Sequence, residues 1–94
     1  MTYELAFLDA ALKEWRKLNE TIRQQLKSKL AERLHAPHVP SARLSGSANR
    51  YKIKLRSAGY RLVYEVREAQ LLVIVVAVGK RERGEVYKTA DRRS

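Results

Sequence analysis

The chain contains no cysteine and no long hydrophobic run. Without cysteine, neither a disulfide nor a cysteine-bound zinc ion is available, so the hydrophobic core must hold the fold by itself. The longest apolar run covers residues 71–78, whereas a membrane span needs about 20 such residues. The N-terminus lacks the charged and apolar regions of a signal peptide. The sequence therefore predicts a single domain over residues 1–94 that is cytoplasmic and has no membrane partner.

Several motifs for phosphate and metal chemistry are also missing. Neither G-x-x-x-x-G-K-[ST] nor G-x-G-x-x-G occurs, so a nucleotide-binding loop has no support. The acids of the second half are scattered among basic residues, which argues against a two-metal nuclease. His35 and His38 lie in a proline-containing loop with no third ligand nearby, which disfavours a metal site. An acid–base histidine pair of a metal-free ribonuclease stays open as an alternative, and we predict no metal and no cofactor.

Positive charge is the most pronounced feature that is present. The chain has 20 Lys and Arg against 10 Asp and Glu, a formal net charge of +10. Most of the excess lies in residues 50–94, which hold twelve basic residues and five acidic ones. A charge of this size and clustering favours a polyanionic partner, with nucleic acid ahead of an acidic protein or an anionic membrane.

Hydrophobic spacing predicts the first three elements. Alternating apolar residues predict a short strand over residues 3–7. Helical spacing then predicts an amphipathic helix for which Asp9 is the candidate N-cap. A second helix begins after Asn19 and ends near His35, because Pro37 disfavours helical backbone in the residue before it. The two helices are joined closely enough to form an αα-hairpin.

Three further strands follow. Residues 51–56 and 60–67 alternate in the manner of half-buried strands, and residues 71–78 form a continuous apolar run typical of a central strand that Gly79 ends. Short connections favour antiparallel pairing of these strands. The predicted fold class is α+β, with the order β-α-α-β-β-β and an antiparallel sheet that carries the helical hairpin on one face. A short helical turn is expected near residues 85–90.

The face of the sheet away from the hairpin is predicted to be strongly cationic. Lys52, Lys54 and Arg56 alternate with apolar residues, and Arg61 stands across the hairpin from them. Such a surface can simply bind phosphates. Crowding of cations also lowers the pKa of a lysine, and a neutral lysine can serve as a general base while neighbouring guanidinium groups stabilise a phosphorane. The residues alone leave both interpretations open.

The basic tail contains a second candidate cluster, in which Tyr87 follows Lys80, Arg81 and Arg83. A tyrosine among arginines can stack on an exposed base or orient a phosphate. It can equally cover an edge of the core, and the sequence alone does not decide between the two.

Three segments of the chain resemble the RelE family of toxin–antitoxin toxins. They are residues 11–18 (ALKEWRKL), 51–64 (YKIKLRSAGYRLVY) and 78–87 (VGKRERGEVY), and the resemblance extends over essentially the whole chain. It implies a RelE-like fold with a sheet similar to that of microbial ribonucleases. It also implies a metal-independent endoribonuclease that works only on the ribosome, cutting mRNA in the A site by attack of the RNA's own 2′-hydroxyl. The implied partners are small-subunit rRNA, mRNA and a RelB-like antitoxin, with DNA reached only through the antitoxin complex.

The resemblance also assigns roles to individual residues. Lys54 matches the family's general base and Arg81 its general acid. Arg61 matches the residue that stabilises charge on the scissile phosphate. Tyr87 matches the tyrosine that stacks on the mRNA, and Lys52 matches a supporting phosphate contact. Arginine is a poor acid at neutral pH, so Arg81 is expected to act mainly by stabilising the leaving oxygen electrostatically.

One departure from the family lies ahead of Gly46. Close relatives have an arginine where this chain has Ser45, so Arg43 or Arg50 is expected to substitute in gripping RNA, or binding is weaker. The full set of predicted RNA-binding residues outside the catalytic group is Arg43, Arg50, Arg56, Lys80 and Arg83.

Two other functions compete with catalysis. A non-catalytic RNA-binding or ribosome-binding module would show salt-sensitive binding with equal losses from removal of any basic residue. A DNA-binding regulator is disfavoured, because no helix presents a row of exposed base-reading side chains. If the chain is a toxin, we expect an acidic or strongly helical antitoxin to displace the C-terminal segment that carries Tyr87.

Overall fold

The computed structural model describes residues 2–82 and 84–93. Two short 3-10 turns, Pro40–Ala42 and Glu68–Gln70, lie in the connections. The main elements, in chain order, are β1 (Glu4–Phe7), α1 (Asp9–Arg16), α2 (Glu20–His35), β2 (Arg50–Leu55), β3 (Tyr60–Arg67), β4 (Leu72–Lys80) and α3 (Glu85–Arg92). The predicted α+β class and element order are confirmed, and the helical turn expected in the tail is a complete helix, α3. Across the described residues, no helix combines the length and apolarity that a bilayer crossing requires.

The strands form one mixed sheet with the order β1-β4-β3-β2. β3 pairs antiparallel with both β2 and β4, as the short connections predicted. β1 instead pairs in parallel with β4, so the prediction of a wholly antiparallel sheet is wrong in this strand. Parallel neighbours need a long connection, and here the chain between β1 and β4 passes through the helical hairpin and two other strands.

The first core lies between the sheet and the α1–α2 hairpin. Leu26 and Leu30 of α2 are almost fully buried there, together with Ile53 of β2, Leu62 of β3 and Val75 of β4. The helical spacing of α2 and the alternation of β2 and β3 bring these residues to one interface. The opposite side of β2 is left for its polar residues.

A second, smaller core lies on the other face of the sheet, under α3. Val86 and Ala90 of α3 pack against Val63, Val76 and Ala77. This face is therefore not uniformly cationic: α3 covers its centre, and the cations of β2 and β3 lie beside the helix. The second core fixes where α3 sits relative to those cations.

β4 is longer than the sequence predicted, because Gly79 does not end it. Gly79 pairs with Arg61, and Lys80 pairs with Tyr60 at the start of β3. Because Tyr60 and Arg61 provide hydrogen-bond partners, β4 continues to Lys80, which pairs with the first residue of β3. The extension carries the residues after β4 to the turn between β2 and β3.

The helix caps are partly as predicted. Asn19 caps α2, since its Oδ1 accepts a hydrogen bond of 2.9 Å from the Ile22 amide. Asp9, by contrast, is the first residue of α1, and Leu8 occupies the N-cap position without a side-chain hydrogen bond. The predicted cap at Asp9 is wrong because α1 begins one residue earlier than expected, and Asp9 lies in the first turn, where a carboxylate interacts favourably with the helix dipole.

We expect Asn19→Ala to lower the free energy of unfolding by about 1 kcal/mol, because it leaves an amide at the start of α2 without its acceptor. Asp9→Ala should cost only about 0.5 kcal/mol, since no hydrogen bond is lost. Urea denaturation followed by circular dichroism measures both variants, with Asn19→Asp as the control that keeps a capping oxygen. Equal losses at both positions would contradict this account of the caps.

Candidate active site

A cavity of about 180 Å³ lies where the end of β4 and the start of α3 meet the β2–β3 hairpin. Four of the five residues predicted to be catalytic line it: Lys54, Arg61, Arg81 and Tyr87. The other lining residues are Lys80, Glu82, Gly84, Glu85 and Val86. The structure thus brings together residues from three strand ends and a helix that are far apart in the sequence.

Strand register explains how the basic residues meet. Lys54 of β2 stands opposite Arg61 of β3, and Arg61 stands opposite Gly79 of β4. Arg81 follows two residues after Gly79, and its backbone amide donates a 2.6 Å hydrogen bond to the Gly59 carbonyl. The backbone of Arg81 is therefore tied to the hairpin turn, while its side chain is exposed. A row of three cations crosses the sheet at this end.

The surroundings of Lys54 favour its neutral form. Its pKa is lowered from the ordinary lysine value, first by the charge of Lys52, then by partial desolvation, and further by Arg56, Arg61 and Arg81. Each neighbouring cation disfavours the protonated form. The neutral form of Lys54 is consequently more populated near neutral pH than for an isolated lysine, in the direction that the sequence predicted.

Arg61 is held more rigidly than the other cations. Only 7% of it is exposed, and its Nη1 donates a 2.9 Å hydrogen bond to the Tyr60 carbonyl. A guanidinium group fixed in this way is already oriented before substrate arrives, which is the condition under which charge stabilisation is most effective. Its placement suits the role of stabilising charge on a phosphate.

Tyr87 of α3 belongs to both the core and the cavity. It packs against the second core, and its hydroxyl group is buried without a hydrogen-bond partner among the described residues. The structure thus confirms that this tyrosine covers an edge of the core. It also lines the cavity, and its stacking on a base stays a prediction.

A second cavity, of about 350 Å³, lies next to the first and shares Tyr87 with it. Lys52, the fifth residue predicted to be catalytic, lines this second cavity and not the first. The remaining lining residues are Leu44, Ser45, Gly46, Ser47, Arg50, Lys88 and Asp91. The position of Lys88 here could have been anticipated only from the helical spacing of α3, by which residues 88 and 91 share a face.

The predicted RNA-binding residues have different environments. Arg43, Arg56 and Lys80 are exposed, and Lys80 lines the first cavity. Arg56 lies in the turn after β2, just past the strand that was expected to carry it. Arg83 lies outside the described residues. These positions leave the predictions for Arg43, Arg56 and Lys80 open.

Arg50 is the exception, and its prediction as an RNA contact needs correction. It is only 8% exposed, its Nη1 donates a 2.6 Å hydrogen bond to the Ala90 carbonyl, and its Nε donates to Glu65 at 3.2 Å. The guanidinium group is thus committed to protein acceptors and anchors α3 to the sheet. The expectation that Arg50 compensates for Ser45 in gripping RNA is therefore not supported.

Neither histidine lines either of the two cavities. His38 contacts Tyr51 of β2 and Glu68, and Glu68 follows the end of β3 roughly 20 Å from Arg61 along the strand. His35 Nδ1 lies 3.4 Å from the hydroxyl group of Thr2. His35 and His38 therefore do not join the cationic residues, and the alternative of a histidine-based ribonuclease is not supported. Within residues 2–82 and 84–93, no group of three metal-ligating side chains occurs.

The chain is similar to known proteins over almost its whole length. Residues 5–84 match the family described as ParE toxin of type II toxin-antitoxin system, parDE. The mRNA interferase toxin RelE of Escherichia coli K12 and the mRNA interferase RelE of Shigella flexneri are each 55% identical over 93 residues, which cover 99% of this chain and 98% of theirs.

Solved structures show the same similarity. A free-state double mutant of the E. coli toxin RelE has a TM-score of 0.91 and 53% identity, with 99% of this chain and 98% of that chain covered. The toxin in the intact E. coli RelBE toxin–antitoxin complex has a TM-score of 0.82 and 54% identity, with 86% and 99% covered.

Proposed function

The chain belongs to the RelE family of type II toxins, and on that basis we propose that it is an mRNA interferase, an endoribonuclease that inhibits translation. Curated relatives with 55% identity bear this name. The observation in the molecule itself that carries the proposal is the cavity that joins Lys54, Arg61 and Arg81. Cleavage of RNA needs a base, a group that stabilises charge on the phosphorus centre and a group that stabilises the leaving oxygen. These three side chains can fill the three roles.

In the proposed reaction the RNA supplies its own nucleophile. Neutral Lys54 takes the proton from a 2′-hydroxyl, and the oxygen attacks the adjacent phosphorus. Arg61 stabilises the negative charge of the phosphorane. The bond from phosphorus to the 5′-oxygen then breaks, and Arg81 stabilises that oxygen as it takes up a proton from water, while Lys54 returns its own proton to the solvent. The products are an upstream 2′,3′-cyclic phosphate and a downstream 5′-hydroxyl, and no step uses a metal.

The form of the RNA ends tests this mechanism. We expect cleavage of ribosome-bound mRNA to leave a 2′,3′-cyclic phosphate on the upstream fragment and a 5′-hydroxyl on the downstream one. Enzymatic end-labelling and mass spectrometry of the fragments distinguish these ends from others. A 5′-phosphate on the downstream fragment would indicate attack by water or a protein nucleophile and would contradict the mechanism.

The proposed site of action is the ribosomal A site, in the cytoplasm. The net charge of +10 supports docking on ribosomal RNA, because neutralising phosphates releases counterions. The first cavity is small, about 180 Å³, and four of its nine lining residues are cationic. Such a site stabilises a phosphate but offers few groups to orient a flexible RNA strand, a task that the ribosome performs in this proposal.

A RelB-like antitoxin is the proposed protein partner, and DNA is reached only through their complex. Solved relatives include complexes with RelB. We propose that the antitoxin acts by displacing α3, because a small number of contacts hold this helix on the sheet. Besides its small core, α3 is held by Arg50 at the Ala90 carbonyl and by Arg93, which donates to Glu14 at 2.8 Å and to the Val76 carbonyl. An antitoxin that replaces these contacts would remove Tyr87 from the cavity.

The role of Lys52 gives a pH prediction. Lys52 is the largest cause of the lowered pKa of Lys54, so Lys52→Met should raise that pKa toward the ordinary value. Because the reaction needs neutral Lys54, the rising limb of the pH–rate profile should move to higher pH, with partial recovery of the rate in alkaline buffer. Single-turnover cleavage measured across pH checks this. An unmoved limb with a uniformly lower rate would mean that Lys52 only binds phosphate.

A further inference from the structure

β4 contains a bulge at the point where α3 packs on it. Val63 of β3 pairs with Ala77, but the next residue, Tyr64, pairs with Val75, so that β4 has one extra residue, Val76, between these pairs. An extra residue reverses the alternation of side chains along a strand. Val75 consequently belongs to the first core, whereas both Val76 and Ala77 belong to the second core under α3. The bulge therefore creates the apolar surface on which this helix packs.

The edge of β4 beyond the bulge has polar backbone groups that need partners. β1 pairs with β4 only from Leu72 to Val75, and the last hydrogen bond there joins the Leu8 amide to the Val75 carbonyl at 3.0 Å. Farther along, within the described part of the chain, β4 has a neighbouring strand only on the β3 side. The Val76 carbonyl and the Val78 amide point to the open side, although both residues are buried. Buried backbone groups without a partner would destabilise the fold.

Two charged side chains from opposite ends of the sequence satisfy these groups. Arg93, at the end of α3, donates a 2.8 Å hydrogen bond from Nη1 to the Val76 carbonyl, and the Val78 amide donates to Oε1 of Glu14 at 3.3 Å. Nη1 and Nη2 of Arg93 also donate to Oε1 and Oε2 of Glu14, at 2.8 and 3.2 Å. The exposed fractions of the two side chains are only 22% for Arg93 and 33% for Glu14. A bidentate and partly buried pair of this kind is stronger and more directional than an ordinary surface ion pair.

The position of α3 depends on contacts such as this pair. The helix has only eight residues, and a helix of this length is not stable by itself in water. Its first turn brings Tyr87 to the wall of the first cavity, and the pair holds its opposite end. We infer that Glu14 is a positioning residue for the reaction: through Arg93 it keeps α3, and with it Tyr87, at the cavity. This inference rests on the proposed function and extends it to a residue of α1 that lines neither cavity.

Amide hydrogen exchange tests whether the pair holds α3, and it needs no cleavage. The variant is Glu14→Ala, and the control is Glu32→Ala, which removes an equal charge from an exposed position of α2. The Lys88 amide donates to the Gly84 carbonyl and so reports on α3. We expect it to exchange about ten-fold faster in Glu14→Ala, because a helix that opens locally loses a charge-assisted contact. The amides of α2 should exchange as in wild type, and Glu32→Ala should leave α3 unchanged.

Two results of the exchange experiment would overturn the inference. Unchanged exchange in α3 of Glu14→Ala would mean that the pair does not hold the helix, and equal acceleration in α2 and α3 would mean that it supports the whole fold instead. Glu14→Gln is the conservative variant, since its amide oxygen can still accept from Arg93 and from Val78. Its exchange in α3 should lie between those of wild type and Glu14→Ala, and it carries the comparison if Glu14→Ala does not fold.

Cleavage of ribosome-bound mRNA tests the positioning role itself. We expect Glu14→Ala to cleave about ten-fold more slowly in a single turnover, because misplaced groups lose rate. The midpoint of its pH–rate profile should not move, since the surroundings of Lys54 are intact. Because the chain has no cysteine, Glu14→Cys and Arg93→Cys can be combined and joined by a short bifunctional thiol reagent. The linked protein should regain most of the rate, and the unlinked double variant should stay slow.

The two readouts separate this inference from the proposed function. Cleavage at the wild-type rate by Glu14→Ala despite faster exchange in α3 would overturn the positioning role, as would a linked protein that is as slow as the unlinked one. An uncut message with wild-type protein would instead refute the proposed function. Faster exchange in α3 of Glu14→Ala would even then support the pair as the contact that holds the helix.

Discussion

Lys54→Met should reduce the rate of mRNA cleavage at neutral pH by about 10²–10⁴-fold, the usual contribution of a general base. Lys54 forms one end of the row that it makes with Arg61 and Arg81, and its lowered pKa follows first from the charge of Lys52 and then from desolvation and the other cations around it. No other described group in the first cavity has both the position beside Arg61 and a shifted pKa in the right direction. Methionine keeps the length of the side chain but cannot accept a proton.

The fold should survive this substitution. Lys54 is on the cationic side of β2, and the apolar partners of that strand face the first core. Removing a charge that its neighbours repel should leave the unfolding temperature unchanged or raise it slightly. Differential scanning calorimetry checks stability, and Lys29→Met is the matched control for net charge. A folded Lys54→Met protein that cleaves as fast as Lys29→Met would exclude Lys54 as the base.

Arg81→Ala should lower the rate by about 10²–10³-fold, as expected when one electrostatic contact to a developing oxyanion is lost. The side chain is exposed, while its backbone is held by the 2.6 Å hydrogen bond to Gly59. That bond uses the Arg81 amide, so alanine preserves it. The loss should therefore arise in the chemical step rather than in the placement of the chain.

A modified RNA separates the roles of Arg81 and Lys54. If sulfur replaces the 5′-oxygen at the cleavage site, the leaving group needs neither a proton nor much stabilisation. Arg81→Ala should then regain most of its lost rate, whereas Lys54→Met should not, because attack still needs a base. Arg92→Ala, an exposed α3 variant outside both cavities, controls for charge. Failure of the sulfur substrate to rescue Arg81→Ala would place this arginine on the phosphate or on binding instead.

The sequence was sufficient for the parts of the fold that depend on local pattern. Alternation in β2 predicted Lys52 and Lys54 on one face and Ile53 on the other, and the structure confirms this arrangement. Asn19 as the cap of α2 was predicted for the same reason, since the capping oxygen and its amide are three residues apart. The RelE resemblance connected residues 54, 61, 81 and 87, which no periodicity relates to one another.

Features that depend on tertiary partners could not be predicted in this way. Arg50 shares the alternation of the cationic face, and only its contacts with Glu65 and Ala90 show that it is buried. The parallel pairing of β1 depends on which strand lies beside it, and β-strand patterning does not encode that choice. The sequence predicted that Gly79 ends β4, but Gly79 and Lys80 pair with Arg61 and Tyr60 of β3 and therefore belong to the strand. The second cavity exists only because α3 folds over Val63 and Ala77.

The most direct test of the central claim is to map mRNA ends after the purified protein is incubated with ribosomes that hold a defined codon in the A site. We predict a cut within that codon by the wild-type protein, no cut in the same mRNA without ribosomes, and no cut on ribosomes by Lys54→Met. An intact message after incubation of ribosomes with folded wild-type protein would contradict the account, and would leave salt-sensitive RNA binding as the function of the cationic residues.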